Sequence, residues 1–106
     1  ISSISAKGNI GQSAYSVAKS GIEILTKIWA QELSSFNIRV ACIAPGFFNT
    51  QSTHSSLTKF QISHLKKNTP IKRLGATKEL MLAIKFIINN KFFNGKVLSL
   101  DGGLEI

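Results

Sequence analysis

Several features are scarce or missing in this sequence, and each absence excludes a class of protein. Cys42 is the single cysteine, which excludes an internal disulfide framework and fits a reducing compartment, so we expect a cytoplasmic location. No apolar run approaches the roughly 18 residues of a membrane-spanning helix, and residues 1–4 have no signal-peptide character. Only five acidic residues oppose thirteen lysines and arginines, yet no five positive charges are consecutive. We therefore expect a soluble protein with a lysine-rich surface and with no membrane or nucleic-acid partner.

The composition is that of a folded globular chain. Hydrophobic residues make up 43% and charged residues 17% of the sequence, without the bias of a disordered, collagen-like or coiled-coil protein. At 106 residues the chain can form one domain with a small core. The sequence starts at Ile1 rather than methionine, and Ile1–Ile4 has the character of a strand end, so we expect a piece of a longer protein.

Two segments have the periodicity of amphipathic helices. The first extends from Gln12 to about Ser35, and its apolar residues recur at spacings of three and four along one predicted buried stripe: Ala18, Ile22, Leu25, Trp29 and Leu33. Trp29 is accordingly expected in the core rather than at a ligand site. The second helix is predicted from Thr77, which can cap it, through Asn89, with the stripe Leu80, Ala83, Ile84, Ile87 and Ile88.

Two short apolar runs are predicted as buried strands. The first is Ile38–Ala44, which Pro45-Gly46 ends, and the second is Lys96–Leu100, which Asp101–Gly103 stops. The long segment Phe47–Lys67 between them is rich in polar residues, so we expect a loop and a loosely held helix that act as a mobile lid.

The order of these elements predicts an α/β fold. A strand end, a helix, a strand, the lid, a helix and a strand alternate in the way that builds a parallel sheet covered by helices. Ligands of such sheets bind beyond the carboxyl ends of the strands. We expect at least two polar strand ends to share one rim there, from the set Ser2-Ser3, Pro45-Gly46 and Asp101–Gly103.

Tyr15 and Lys19 are candidate catalytic residues. They are four apart in the first helix, so their side chains lie on one face about one turn from each other. A lysine ammonium at that distance stabilises a phenolate, and the positive end of the helix dipole acts in the same direction, so the pair can serve as a general acid and base. The same spacing also occurs by chance as an exposed surface pair. The serines upstream and the small residues around the pair favour the catalytic interpretation.

Several segments, in order, resemble the catalytic half of the short-chain dehydrogenases/reductases. The Ile-Ser-Ser-Ile opening and the segment with Tyr-x-x-x-Lys are similar to that family's serine and tyrosine motifs. The remaining matches lie at Ile38–Thr50, which contains the Pro-Gly motif, and at Arg73–Gly75 and Gly95–Gly103. The 3-oxoacyl-acyl-carrier-protein reductase branch is the most similar. The resemblance implies that residues 1–106 form the catalytic and substrate-lid half of such a domain. This half is the C-terminal half of a Rossmann-type, doubly wound parallel sheet in three α/β/α layers, without the N-terminal nucleotide-binding half.

The resemblance also implies a reaction and a cofactor, NADP or NAD. Tyr15 would exchange a proton with the oxygen of a carbonyl or secondary alcohol, Lys19 would support Tyr15 and bind the nicotinamide ribose, and a serine would hold the substrate oxygen. Four further positions match those that line the nicotinamide in the family, namely Pro45, Gly46, Phe48 and Thr50. Without the resemblance, Pro45-Gly46 could simply terminate the strand, and core packing of Phe48 and helix capping by Thr50 would explain those two residues equally well.

The resemblance leaves the serine open between Ser2 and Ser3. The usual distance of thirteen residues to the tyrosine selects Ser2, whereas the Ile-Ser-Ser-Ile pattern selects Ser3 with one residue deleted from the following loop. We favour Ser3 because loop lengths vary more easily than strand ends.

Two parts of the family pattern are absent from these residues. The Gly-rich phosphate turn and the catalytic asparagine lie in the half of the domain that the chain does not include, so we expect the 106-residue piece alone to be inactive. The alternatives are a sugar or polyol dehydrogenase of the same family, or a non-catalytic module that keeps the fold.

His54 and His64 are expected on the surface, with no metal site. Relatives form dimers and tetramers, so we expect a homodimer or homotetramer.

Overall fold

The computed structural model describes all residues, Ile1–Ile106, and contains four α-helices and two β-strands. Two 3₁₀ helices at Ile4–Lys7 and Ser34–Phe36 flank the first α-helix. None of the helices combines the length and the apolar character needed to cross a membrane. The regular elements are, in chain order, α1 (Ser13–Glu32), β1 (Cys42–Pro45), α2 (Gln51–Ser56), α3 (Lys59–Asn68), α4 (Thr77–Asn89) and β2 (Val97–Leu100).

The two strands form a parallel sheet, which confirms the predicted α/β class. Cys42 is paired with Val97 at one end of the register and Pro45 with Leu100 at the other. Parallel strands need a crossover connection, and residues 46–96 with α2, α3 and α4 supply it. β1 is buried over Cys42–Ala44, whereas β2 is only half-buried because the sheet has no strand on its far side. The core therefore lies around β1.

The prediction that Ile1–Ile4 is a strand end is wrong in detail. One hydrogen bond of 2.8 Å, from the Ser2 N–H to the Ile43 carbonyl, places this segment beside β1. The chain turns directly afterwards into the 3₁₀ helix, because the Ser3 hydroxyl accepts the Ser5 N–H and the Ser3 carbonyl accepts the Ala6 N–H. The start of β1 also differs from the prediction, since residues 38–41 lie outside the sheet.

The first predicted helix is confirmed as α1, but its predicted buried stripe is only partly correct, because Ile22 and Leu33 are half-buried and the other three residues are exposed. Leu25 and Trp29 are 38% and 46% exposed, and Ala18 is exposed as well. The buried residues of α1 are instead the small ones, Ser16, Thr26 and Ala30. Small side chains allow the helix to approach its neighbours closely, as where Ala30 meets Gly95. Most of the larger apolar residues of α1 are consequently exposed within these 106 residues.

α4 is confirmed with the predicted bounds and a largely correct stripe. Ala83 is buried, whereas Ile88 is exposed. Thr77 does not cap the helix: the Glu79 carboxylate reaches back to the Ala76 N–H at 2.7 Å and satisfies one of the free N–H groups at the helix start. At the other end, the Arg39 guanidinium donates to backbone carbonyls in the last turn of α4 and in the segment directly after it.

Candidate functional site

The carboxyl ends of β1 and β2 meet at one rim, as the sequence predicted. The Gly46 N–H donates to the Leu100 carbonyl at 2.9 Å. A Cβ on Gly46 would lie 2.8 Å from the Asp101 Cα, so only glycine permits this close approach of the two backbones. The two strand ends that the sequence singled out, Pro45-Gly46 and Asp101–Gly103, are therefore in direct contact.

Tyr15 and Lys19 lie together in the first turns of α1. The Lys19 Nζ is 5.6 Å from the centroid of the Tyr15 ring, and it donates to the Ile1 carbonyl across 3.0 Å. Tyr15 is 47% exposed, so its phenol is accessible to a small molecule. The lysine thus connects the tyrosine to the segment that holds both candidate serines.

The two candidate serines have different environments. Ser2 is 2% exposed, and its Oγ lies 2.7 Å from the Glu23 Oε1 and 3.2 Å from the Lys19 carbonyl oxygen. Ser3 is half-buried, and its Oγ accepts the Ser5 N–H at 3.2 Å. The Ser2 hydroxyl is therefore directed into the contact with α1, whereas the Ser3 hydroxyl keeps its proton for another acceptor.

Glu23 is a residue of this region that the sequence reasoning missed. It lies four residues after Lys19 and eight after Tyr15, so the three side chains follow one row along the helix. That spacing was the available signal, but its partner Ser2 is 21 positions away in the sequence and gives no local pattern.

Phe48 and Thr50, the two further candidates after β1, have structural contacts. The Phe48 side chain is buried against Gly75. A Cβ added to Gly75 would lie 2.6 Å from the Phe48 Cε1. The Phe48 backbone N–H makes no hydrogen bond within the chain. The Thr50 hydroxyl caps α2 by accepting the Thr53 N–H at 3.2 Å.

A cleft of about 400 Å³ separates the predicted lid from the loop that leads into α1. Phe60, on α3, is 81% exposed beside it, so the lid presents apolar surface to this space. The lining residues are half apolar and half polar: Phe47, Leu57, Phe60, Leu65, Asn9, Gln12, Gln61 and His64. Asn9 and Gln12 were not among the sequence candidates, since only side-chain placement reveals that they face the lid.

The remaining titratable groups include one strong pair. Arg73 forms two hydrogen bonds to the Glu79 carboxylate at 2.7 and 2.8 Å. The hydrogen bonds from Arg73 and from the Ala76 N–H lower the pKa of Glu79 to about 2, and the same contact with Glu79 raises the pKa of Arg73. His54 and His64 are exposed, as predicted. No three histidine, cysteine or acidic side chains are grouped closely enough to hold a metal ion.

Comparisons with known proteins place the chain in a family. The family model described as Enoyl-(Acyl carrier protein) reductase matches residues 1–105. The mouse (Mus musculus) 3-oxoacyl-[acyl-carrier-protein] reductase is 40% identical over 103 residues, which are 97% of this chain and 42% of the relative. The chain thus spans about two-fifths of the length of the curated relatives that it matches.

Solved structures agree with this placement. A Mycobacterium avium 3-hydroxyacyl-CoA dehydrogenase type-2 superposes with a TM-score of 0.92 at 39% identity, over 99% of this chain and 41% of that one. A 4-hydroxyisoleucine dehydrogenase complexed with NADH superposes with a TM-score of 0.88 at 29% identity, over 96% and 44% of the two chains. The resemblance seen in the sequence motifs is therefore confirmed, and the chain belongs to the short-chain dehydrogenase/reductase family.

Proposed function

We propose that the complete protein is an NAD(P)-dependent oxidoreductase that transfers hydride between nicotinamide and a carbonyl or secondary alcohol. The observation that carries this proposal is the placement of the Lys19 ammonium, 5.6 Å from the Tyr15 ring centroid, beside the segment of the candidate serines. An exposed phenol next to a fixed cation is suited to exchange a proton with a substrate oxygen.

Tyr15 is the proposed general acid in the direction of carbonyl reduction. Its phenol protonates the substrate oxygen, and the Lys19 ammonium stabilises the phenolate that remains. Lys19 is held in place by the Ile1 carbonyl at 3.0 Å. In the oxidation direction the phenolate removes the proton of the alcohol. The nicotinamide, when bound, supplies or accepts the hydride.

Ser3 is the proposed serine of the site. The buried Ser2 hydroxyl is engaged by Glu23, whereas Ser3 is half-buried and uses its Oγ only as an acceptor for the Ser5 N–H. The Ser3 O–H is free to donate to the substrate oxygen and to stabilise the negative charge that develops there.

The rim after β1 is the proposed holder of the nicotinamide, which is NADP or NAD. Pro45 and Gly46 form the rim itself, and the free Phe48 N–H is a donor suited to the carboxamide oxygen. The Thr50 hydroxyl caps α2 as an acceptor and lies 3.1 Å from the Thr53 hydroxyl oxygen; where Thr53 is the donor of that contact, Thr50 can donate its own proton to the cofactor. The NADH in the complex of the structurally similar 4-hydroxyisoleucine dehydrogenase supports nicotinamide chemistry for this fold.

The proposed substrate is a 3-oxoacyl thioester or a similar ketone. The apolar half of the cleft, with the exposed Phe60 at its edge, is suited to an alkyl chain, and the mouse relative is a 3-oxoacyl-[acyl-carrier-protein] reductase. The polar half, with Asn9 and Gln61, favours a sugar or polyol as the second candidate.

The proposed assembly is a homodimer or homotetramer of the complete protein. Val17, Ile24 and Ile28 of α1 are 72%, 53% and 42% exposed within these 106 residues, and such an apolar helix face is stabilised when a second copy or the rest of the complete protein covers it. Sedimentation of the complete protein at micromolar concentration tests this proposal, which a monomer would contradict. Cys42 is free and buried, in keeping with the reducing cytoplasm proposed as its location.

The experiment is a spectrophotometric assay of nicotinamide oxidation by the complete protein with 3-oxoacyl thioesters and keto sugars. We expect turnover of a thioester, and we expect Tyr15→Phe to abolish it while cofactor binding persists. Ser13→Ala, at the start of the same helix, is the matched control that should remain active. Failure of the unmodified protein to bind either cofactor would contradict the proposal and favour a non-catalytic module.

A further inference from the structure

We infer that Glu23 positions the catalytic groups by holding Ser2 against α1, an inference that rests on the proposed oxidoreductase function. The contact, termed here the Ser2–Glu23 clasp, joins the Ser2 Oγ to the Glu23 Oε1 at 2.7 Å. Ser2 is the least exposed polar residue of the chain, at 2%. A hydrogen bond to a carboxylate at this distance is charge-assisted and roughly twice as strong as a neutral one.

The clasp fixes Ser2 from two sides. The Ser2 N–H donates to the Ile43 carbonyl of β1 at 2.8 Å, while its hydroxyl reaches Glu23 on α1. The backbone bond sets the distance to the sheet, and the side-chain bond sets the distance to the helix. Ser3 follows directly in the chain, so its position relative to Tyr15 is determined by where Ser2 is held.

The clasp also determines where Lys19 lies. Ile1 directly precedes Ser2, and its carbonyl accepts the Lys19 Nζ at 3.0 Å. The same Nζ is 5.6 Å from the Tyr15 ring centroid. A shift of Ser2 away from the helix would move this acceptor and release the lysine from its place beside the tyrosine.

Within these 106 residues, the carboxylate of Glu23 has one polar contact. The chain contains one ion pair, between Arg73 and Glu79, so Glu23 is not neutralised by a cation. Ser2 is its sole hydrogen-bond donor. A half-buried carboxylate that accepts one buried hydroxyl forms a strong, charge-assisted hydrogen bond, which is suited to a structural use. The use that the geometry indicates is to align the serine segment with Tyr15 and Lys19.

The first test measures the NMR signal of the Tyr15 ring and does not require catalytic activity. The complete protein is labelled with ring-¹³C tyrosine, and the Tyr15 signal is assigned by its loss in Tyr15→Phe. Glu23→Ala and Ser2→Ala should shift this signal in the same direction, and the double variant should shift it no further. Glu23→Gln keeps an acceptor oxygen and should leave the signal near that of the unmodified protein.

A matched control separates positioning from general stability. Thr26 is also buried on α1, and its hydroxyl bonds only to the Ile22 carbonyl of the same helix, at 2.8 Å. Thr26→Ala should therefore lower the melting temperature without moving the Tyr15 signal. An unshifted signal in Glu23→Ala would overturn the inference, whatever the activity of that variant.

The second test is kinetic. Glu23→Ala should lower kcat about 10- to 100-fold, the cost of a misplacement of roughly 1 Å at a catalytic group. The KM for the cofactor should stay within about twofold, and Glu23→Gln should recover most of kcat. An unchanged kcat in Glu23→Ala would also overturn the inference. If the unmodified protein oxidises no nicotinamide while Glu23→Ala still shifts the Tyr15 signal, the proposed function fails and the clasp is supported.

Discussion

Arg39 is expected to stabilise the fold by closing the C-terminal end of α4. Its Nη1 lies 2.9 Å from the carbonyl oxygens of Ile87 and Phe93 and 3.2 Å from that of Asn90, and its Nη2 lies 3.2 Å from the carbonyl oxygen of Ile88. The last carbonyls of a helix have no partner within the helix, and the end carries partial negative charge. One guanidinium therefore donates to several carbonyl acceptors and places a positive charge at the negative end of the helix dipole.

The stability lost on removal of Arg39 can be estimated from the number of well-formed hydrogen bonds that it makes. Nη1 carries two protons, so only two of its three contacts are fully formed at once, and those at 2.9 Å are the best candidates. A hydrogen bond to a charged group contributes about 1.5–3 kcal/mol, but water reaches part of this side chain and reduces the total. We expect Arg39→Ala to lower the free energy of unfolding by about 2–3 kcal/mol.

Urea unfolding of the complete protein, followed by circular dichroism, measures this loss. Arg39→Lys should recover about half of it, because an ammonium keeps the charge but not the planar fork. Lys91→Ala removes an equal charge from an exposed position just beyond α4 and should change stability by less than about 0.5 kcal/mol. A loss in Arg39→Ala no larger than that in Lys91→Ala would refute the reasoning.

Three further predictions concern stability. Gly75→Ala should lower it by about 1–3 kcal/mol in thermal unfolding, because the new Cβ would overlap the Phe48 ring; an unchanged melting temperature would show that the ring can move. Thr58→Ala removes the N-cap of α3 and should lower the free energy of unfolding by about 1 kcal/mol. Backbone hydrogen exchange in α3 should become faster, and an unchanged exchange rate would contradict the role of the cap. The Arg73 contact lowers the pKa of Glu79 to about 2 from 4.5, so its stabilisation is complete above pH 4.5 and is lost as pH falls towards 2. Glu79→Gln should reduce the pH dependence of stability in that window, and an identical pH profile would contradict this.

The local elements of this fold are predictable from the sequence, because their signals are local. The α4 helix has one apolar stripe with a period near 3.6, and its bounds were predicted correctly. The β1 strand was predicted, but its start was placed four residues too early, at Ile38 rather than Cys42. The reason is that the Val40 backbone forms hydrogen bonds with Asn94 and Gly95, in the turn before β2, instead of with a strand. Residues so distant in sequence cannot be identified from the hydrophobic pattern of residues 38–44.

The burial of α1 could not be predicted in the same way. Hydrophobic periodicity identifies a face that avoids water, but it does not say whether that face packs inside the chain or against another surface. Here Ser16 and Thr26 face inward, while Leu25 and Trp29 are 38% and 46% exposed. Close packing selects the small side chains for the inner face, and several larger apolar side chains stay exposed within these 106 residues.

The candidate site was predictable only in part. The spacing of Tyr15 and Lys19 indicated a coupled pair, and the structure places them together. The choice between Ser2 and Ser3 depends on side-chain direction, which the sequence alone left open. The contact of Glu23 with Ser2 could not be predicted, because the two residues are 21 positions apart in the sequence.

The central claim is hydride transfer at the site formed by Tyr15 and Lys19, and isotope transfer tests it most directly. The complete protein is given nicotinamide cofactor with deuterium at C4, of each stereochemistry, together with a 3-oxoacyl thioester, and the product is examined by mass spectrometry. The account predicts one deuterium on the former carbonyl carbon from one cofactor isomer only, and no labelled product with Tyr15→Phe. Product without deuterium from either isomer, or undiminished labelling with Tyr15→Phe, would contradict it.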